Sequence, residues 1–156
     1  MKKLFLLLAI TVSTTMFAQD EVAIIQDIYG KSKEQIVDQY LNLSDEQAKA
    51  FEEVYNNYEK DRKALGAKKI QIIDDYATNY STLTDEKADE LTKNNLTNNV
   101  DLEKLLSKTY GKAKKVIGPM NAAKFIQLEQ YLQIIIRSEI QDSIPFIGEL
   151  DKTKTK

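Results

Sequence analysis

Leu43-Ser44-Asp45-Glu46-Gln47-Ala48 opens the run whose reading decides the fold. From there apolar or aromatic side chains fall at Ala48, Phe51, Tyr55, Tyr58, Leu65, Ile72, Tyr76 and Leu83, with gaps of three, four or seven residues. Arg62, Lys69 and Asn79 occupy the unfilled steps. A seven-residue repeat of this kind suits one face of a helix packed against another helix. Its start is well marked. Ser44 can accept the backbone N–H of Gln47 while the Gln47 side chain reaches back to Ser44, a reciprocal capping box. Asp45 and Glu46 set negative charge against the positive end of the helix. The spacing predicts one very long helix over about 45–82, roughly 55 Å at 1.5 Å per residue. That length predicts an elongated protein.

Upstream, Val22, Ile24, Ile25, Ile28, Tyr29, Ile36, Val37, Tyr40 and Leu41 recur at mixed three- and four-residue spacings. They predict a first helix over 21–41. Gly30 weakens it by about 1 kcal/mol relative to Ala, so a bend is expected there. Downstream, Leu83-Thr84-Asp85-Glu86-Lys87-Ala88 echoes the opening stretch. The box is weaker, because lysine cannot accept the return hydrogen bond. An apolar residue, a hydroxyl cap and two acids still mark the start of a third helix. Its middle, Asn94-Asn95-Leu96-Thr97-Asn98-Asn99, puts polar groups on the packed seam. Either the gap between helices is widened and wet there, or the segment frays. Gly118-Pro119 is a firm break, with proline suited to the first turn of a fourth helix. Ala122, Phe125, Ile126, Leu128, Tyr131, Leu132, Ile135, Ile136 and Ile140 make that helix the most apolar. Ile144-Pro145-Phe146-Ile147-Gly148 then either folds back onto the helices or stands out as a recognition strip. The expected architecture is all-α: four helices in an elongated, thin antiparallel hairpin arrangement.

The first 18 residues are read apart from the fold. Lys2 and Lys3 precede an apolar core from Leu4 to Phe17, and Ala18 stands before Gln19-Asp20-Glu21. This is the layout of a secretory signal peptide cleaved after Ala18. The core is shorter than the roughly 20 residues a spanning helix needs. A single helical domain is expected over 19–150, followed by a polar, disordered tail over 151–156.

An exported chain enters an oxidising compartment, yet this one has no cysteine, which excludes disulfides, thiolate metal sites and a cysteine nucleophile. Histidine is absent too. No Gly-rich phosphate loop or nucleophile elbow occurs. Adjacent acids such as Glu52-Glu53 and Asp74-Asp75 point to different sides of a helix and are read as solvated charge. No catalytic residue, metal ligand or cofactor site is therefore assigned, and the chain is not read as an enzyme. Without Lys2 and Lys3 the chain carries 20 basic and 24 acidic residues, a charge of −4. No nucleic-acid partner is expected from that balance, and no membrane span after removal of the signal.

Surface and shape remain. Lys60, Arg62, Lys63, Lys68 and Lys69 surround Gly66. They form either a solvated outer face balanced by Glu52, Glu53, Glu59 and Asp61, or a patch that attracts acidic segments of a partner. Eight tyrosines either fill the seams of thin helix pairs or serve a binding surface.

Leu43-Ser44-x-x-Gln47, opening a long charged helix after a signal peptide, resembles the LTxxQ motif of the Spy/CpxP family of small helical periplasmic proteins of Gram-negative bacteria. A second motif copy has two candidates, Leu83-Thr84-Asp85-Glu86-Lys87 and Ile117-Gly118-Pro119-Met120-Asn121. The stretch from Ala122 to Leu128 also looks like that region. The resemblance carries Leu43, Ser44 and Gln47, with Leu83 and Thr84, as helix-start residues rather than active-site groups. It implies a thin antiparallel homodimer, shaped like a cradle, whose concave face holds unfolded or partly folded proteins without ATP. Some relatives sense heavy metals or envelope stress; the lack of His and Met ligands argues against the metal branch. The expected function is thus a periplasmic, chaperone-like binding protein for envelope proteins. The alternative is an envelope-stress adaptor or regulator binding one folded partner through the fourth helix and Ile144 to Ile147.

Overall fold

The computed structural model describes Ile25 and residues 29–147. The expected signal segment 1–18, most of the expected first turns and the expected tail 151–156 lie outside the described residues. Among those described there are three α-helices and no strand: α1 (Lys33–Leu41), α2 (Asp45–Asn79) and α3 (Asp85–Ser143), with a 3-10 turn, Tyr80–Thr82, between the last two. No helix among them is long and apolar enough to cross a membrane.

α1 is shorter than its apolar pattern predicts. Gly30 adopts φ 64°, a left-handed conformation, and Ser32 caps a new helix. Ser32 Oγ accepts the Gln35 N–H, and Gln35 Oε1 accepts the Ser32 N–H at 3.0 Å. Ser32-x-x-Gln35 is the same box as Ser44-x-x-Gln47, and the apolar spacing running through Gly30 hid it. α1 ends at Asn42, which takes the left-handed conformation at φ 49° and donates its N–H to the Asp38 carbonyl.

α2 begins at the Ser44–Gln47 box, with Oγ accepting the Gln47 N–H at 3.3 Å. Its 35 residues span about 52 Å. The series of expected core residues is graded along it. Phe51, Tyr58 and Arg62 are buried, Leu65, Ile72 and Tyr76 are half-buried, and Ala48 is exposed. Leu43, just before the cap, packs against the core.

α3 is counted as one element of 59 residues, but its backbone leaves helical space at Gly118, with φ 78° and ψ 164°. The partners on either side of Gly118 give the direction of each arm. Before it, Asp75, Lys69 and Leu65 of α2 meet Lys87, Asn95 and Asn98 in turn, so this arm runs antiparallel to α2. After it, Phe51, Tyr58, Tyr76 and Tyr80 meet Phe125, Glu129, Pro145 and Phe146, so the second arm runs parallel to α2. The chain therefore doubles back at Gly118. Where the sequence predicts four helices, the described residues form three, the third made of two arms.

The core gathers where α1, α2 and both arms come together. Phe125, fully buried, receives Phe51, Tyr55 and Tyr58 edge-on, with ring centroids 5.1, 6.1 and 5.5 Å away. Edge-to-face pairs at such distances each contribute about 0.5–1.5 kcal/mol beyond burial. Ala113 and Ala122 are also fully buried, near the reversal, where small side chains let the two arms close.

Candidate functional site

The LTxxQ-like residues sit at helix starts. Ser44 and Gln47 make the α2 cap, and Thr84 Oγ1 accepts the Lys87 N–H at 3.2 Å to cap α3. Leu83 is half-buried and lines a cavity described below. Ser44 and Thr84 lie at opposite ends of α2, so the structure does not bring the two motif copies together. Ile117 of the third stretch is buried in the core, and Met120 is exposed.

Two features stand out in the interior, the first unassigned from the sequence and the second anticipated only as a gap at the asparagine run. The first is a buried charge network. Glu129 is wholly buried; its Oε2 accepts from Tyr58 Oη at 2.6 Å and from Lys33 Nζ at 2.7 Å. Lys33 also pairs with Glu59, and Glu59 takes a forked contact from Arg62, Nε to Oε1 at 3.0 Å and Nη2 to Oε2 at 3.2 Å. Two cations thus face two carboxylates, and the Lys33 ammonium lies 5.3 Å from the centre of the Tyr58 ring. Burial pushes Glu59 up, but Lys33 and Arg62 together outweigh it and hold its carboxyl below the usual range. Burial, reinforced by the Glu129 charge and hydrogen bond, drives the Tyr58 phenol far above its ordinary value. Such a balanced network ties α1, α2 and the second arm into one register. Among the described residues no group of three or more Asp, Glu, His or Cys side chains could hold a metal ion.

The second feature is a cavity of about 410 Å³ between α2 and the two arms of α3. This falls within the usual range for small-molecule sites, about 300–1,000 Å³. Its walls are largely aliphatic, with Leu65, Ile72, Leu91, Leu102, Ile136 and Ile140 among them. The asparagine run forms one side. Asn95, Asn98 and Asn99 line the cavity, and buried Asn98 donates Nδ2–H to the Leu65 carbonyl at 3.0 Å. The segment is helical throughout, so the widened gap is the expectation the structure matches. The basic zone of α2 is split. Lys60, Lys63 and Lys68 are exposed, Arg62 joins the buried network, and half-buried Lys69 reaches the cavity, where it donates to Asn95 Oδ1. Burial, and behind it the charge of Arg137, holds the Lys69 ammonium below its ordinary value.

The segment after α3 folds back. Tyr76 Oη donates to the Pro145 carbonyl and Tyr80 Oη to that of Phe146, both at 2.9 Å. Ile144 and Ile147 meet the cavity, and Ile147 stays 66% exposed. The tyrosines divide as well. Tyr58 is interior, whereas Tyr40 and Tyr131 are exposed and Tyr29 is half-buried. Burial first, then the hydrogen bond with Tyr131, pushes the Tyr29 phenol up to about 12. Comparison with family models, curated proteins and solved structures finds no match for this chain.

Proposed function

We propose that this chain is an exported, periplasmic helical binding protein of the Spy/CpxP type, a chaperone-like protein that holds unfolded or partly folded envelope proteins without ATP. In this reading four helical segments, α1, α2 and the two arms of α3, form an elongated, thin unit that pairs as an antiparallel homodimer. One observation carries it. Leu96, Val100, Tyr131 and Ile134 are each more than half exposed, on helices that also present Lys93, Lys104 and Lys108 to solvent. Apolar side chains set among charges suit weak contacts that many sequences can satisfy. Long-range charge recruits the client, and the apolar tips hold it. Aggregation of an unfolded client, followed by light scattering without nucleotide, tests the idea. Protection at a few-fold molar excess of this chain is expected; none at any ratio would sink the proposal.

A second reading, an envelope-stress adaptor for one folded partner, draws on a different observation. The two tyrosine hydroxyls fix the Pro145–Phe146 backbone while Phe146 and Ile147 keep 39% and 66% of their surface exposed. A pull-down from envelope extract separates the two. One stoichiometric partner, lost on deleting the residues after Ser143, supports the adaptor; many substoichiometric clients support the chaperone.

A further inference from the structure

The cavity between α2 and the arms of α3 has a composition that neither reading uses. Its aliphatic walls meet the cations of Lys69 and Arg137, and among the described residues lining it there is no carboxylate. Arg62, the third cation at its edge, is engaged by Glu59. The hydrogen-bond acceptor for Lys69 is the neutral amide of Asn95. Two like charges therefore share the rim of an apolar space without a counter-ion, at a place where the ammonium is already half removed from water. Low local polarity strengthens that repulsion, and it would equally strengthen attraction to an anion.

Its shape narrows the choice of anion. The lining residues of α2 run from Arg62 to Tyr76, about 21 Å of helix. Apart from Tyr76 the cavity's apolar lining is aliphatic rather than aromatic, which suits a flexible hydrocarbon chain free to bend. Toward the Tyr76 end the lining is mainly Ile72, Ile73, Leu83, Ile140 and Ile144, with the neutral Gln141 and no further cation among the described residues. We propose that this cavity binds one amphiphilic carboxylate, a long-chain fatty acid, with its head group at Lys69 and Arg137 and its tail folded along the aliphatic walls. The site goes beyond the chaperone reading and does not depend on it.

The test is fluorescence titration of the purified chain with cis-parinaric acid, below its micelle concentration, followed by competition with palmitate and with hexadecanol. Saturable uptake of one probe per chain is expected. Palmitate should displace it, and hexadecanol, of equal length but uncharged, should compete about tenfold more weakly. Lys69→Met combined with Arg137→Met should abolish that preference while leaving the far-UV circular dichroism unchanged. Ala88→Leu, which fills part of the cavity from its wall, should weaken both competitors and leave the rim charges in place. Absence of saturable uptake overturns the proposal, as does equal competition by acid and alcohol in the native chain. So does a double variant that remains folded and keeps the preference. Uptake that falls as sedimentation shows the chain self-associating would assign the cavity to a second copy and overturn it as well.

Discussion

Lys33→Met isolates what the buried charge network contributes. Lys33 is the only cation bonded to Glu129 among the described contacts, and it balances a carboxylate that is 0% exposed. Methionine keeps most of the stem volume and removes the charge. Glu129 would then retain the Tyr58 hydroxyl on Oε2, while its Oε1 has no hydrogen-bond partner in the structure. Breaking a buried pair from one side costs about 3–5 kcal/mol, a large part of the 5–15 kcal/mol that holds a typical domain together. At a urea m-value of about 2 kcal/mol/M the unfolding midpoint should fall by about 1.5–2.5 M. The companion variant adds Glu129→Met and Tyr58→Phe to Lys33→Met, so that no polar group of the trio is left buried without a partner. Glu59 still holds Arg62 in that background. Replacing a whole buried network by apolar groups of similar size is often neutral or stabilising, so the triple variant should recover to within about 1 kcal/mol of the native chain. Equilibrium urea unfolding followed by circular dichroism measures all three proteins. A loss below about 1 kcal/mol for Lys33→Met alone, or a triple variant no more stable than the single, would refute this account.

Further outcomes follow from other parts of the fold. Gly118→Ala should destabilise by about 1–3 kcal/mol, because φ 78° with ψ 164° is a region open essentially only to glycine. Nothing lies within 4 Å of the added Cβ, so the cost is backbone strain alone. Gly111→Ala, in the helical arm and equally uncrowded, should instead stabilise by about 0.4–1 kcal/mol; thermal melts compare the two signs. Ser44→Ala and Ser32→Ala should each cost about 1 kcal/mol through loss of a cap. In the proposed chaperone reading, client binding measured well below the melt should be unaffected, since these residues act at helix starts. The Glu59 carboxyl titrates below its ordinary 4.5 in the folded chain. Its stabilising contribution is therefore complete above pH 4.5 and is lost as pH falls through the lower, folded value. Urea unfolding across that acid range should be steeper in pH for the native chain than for Glu59→Gln.

The helix starts were legible because a cap is a local device. Ser44 and Gln47 bond to each other three residues apart, so the letters alone predict the contact. Ser32 and Gln35 were equally legible, but an apolar spacing carried through Gly30 obscured them. The asparagine run announced its gap, since amides on a seam must bond or be wetted. Arg62 showed as an irregularity in a heptad and as one cation of a basic zone. Its role depends on Glu59 and on a network completed by Glu129, which lies 71 residues from Tyr58 and 96 from Lys33. Residue spacing along one helix contains nothing about such a meeting. A glutamate flanked by Leu128 and Gln130 on an apolar helix reads as an outward charge until the opposing faces are known.

The sequence by itself determined where helices begin, where glycine breaks them and which residues repeat toward a seam. Those features follow from backbone hydrogen bonds and side-chain periodicity over three to seven residues. The break between the arms of α3 was legible at Gly118-Pro119, whereas only the tertiary structure decided that Glu129 is interior. It also decided that Lys69 and Arg137 share a cavity with no acid among its described lining residues. Each depends on which surfaces are excluded from water together, and that is set by elements far apart in the chain.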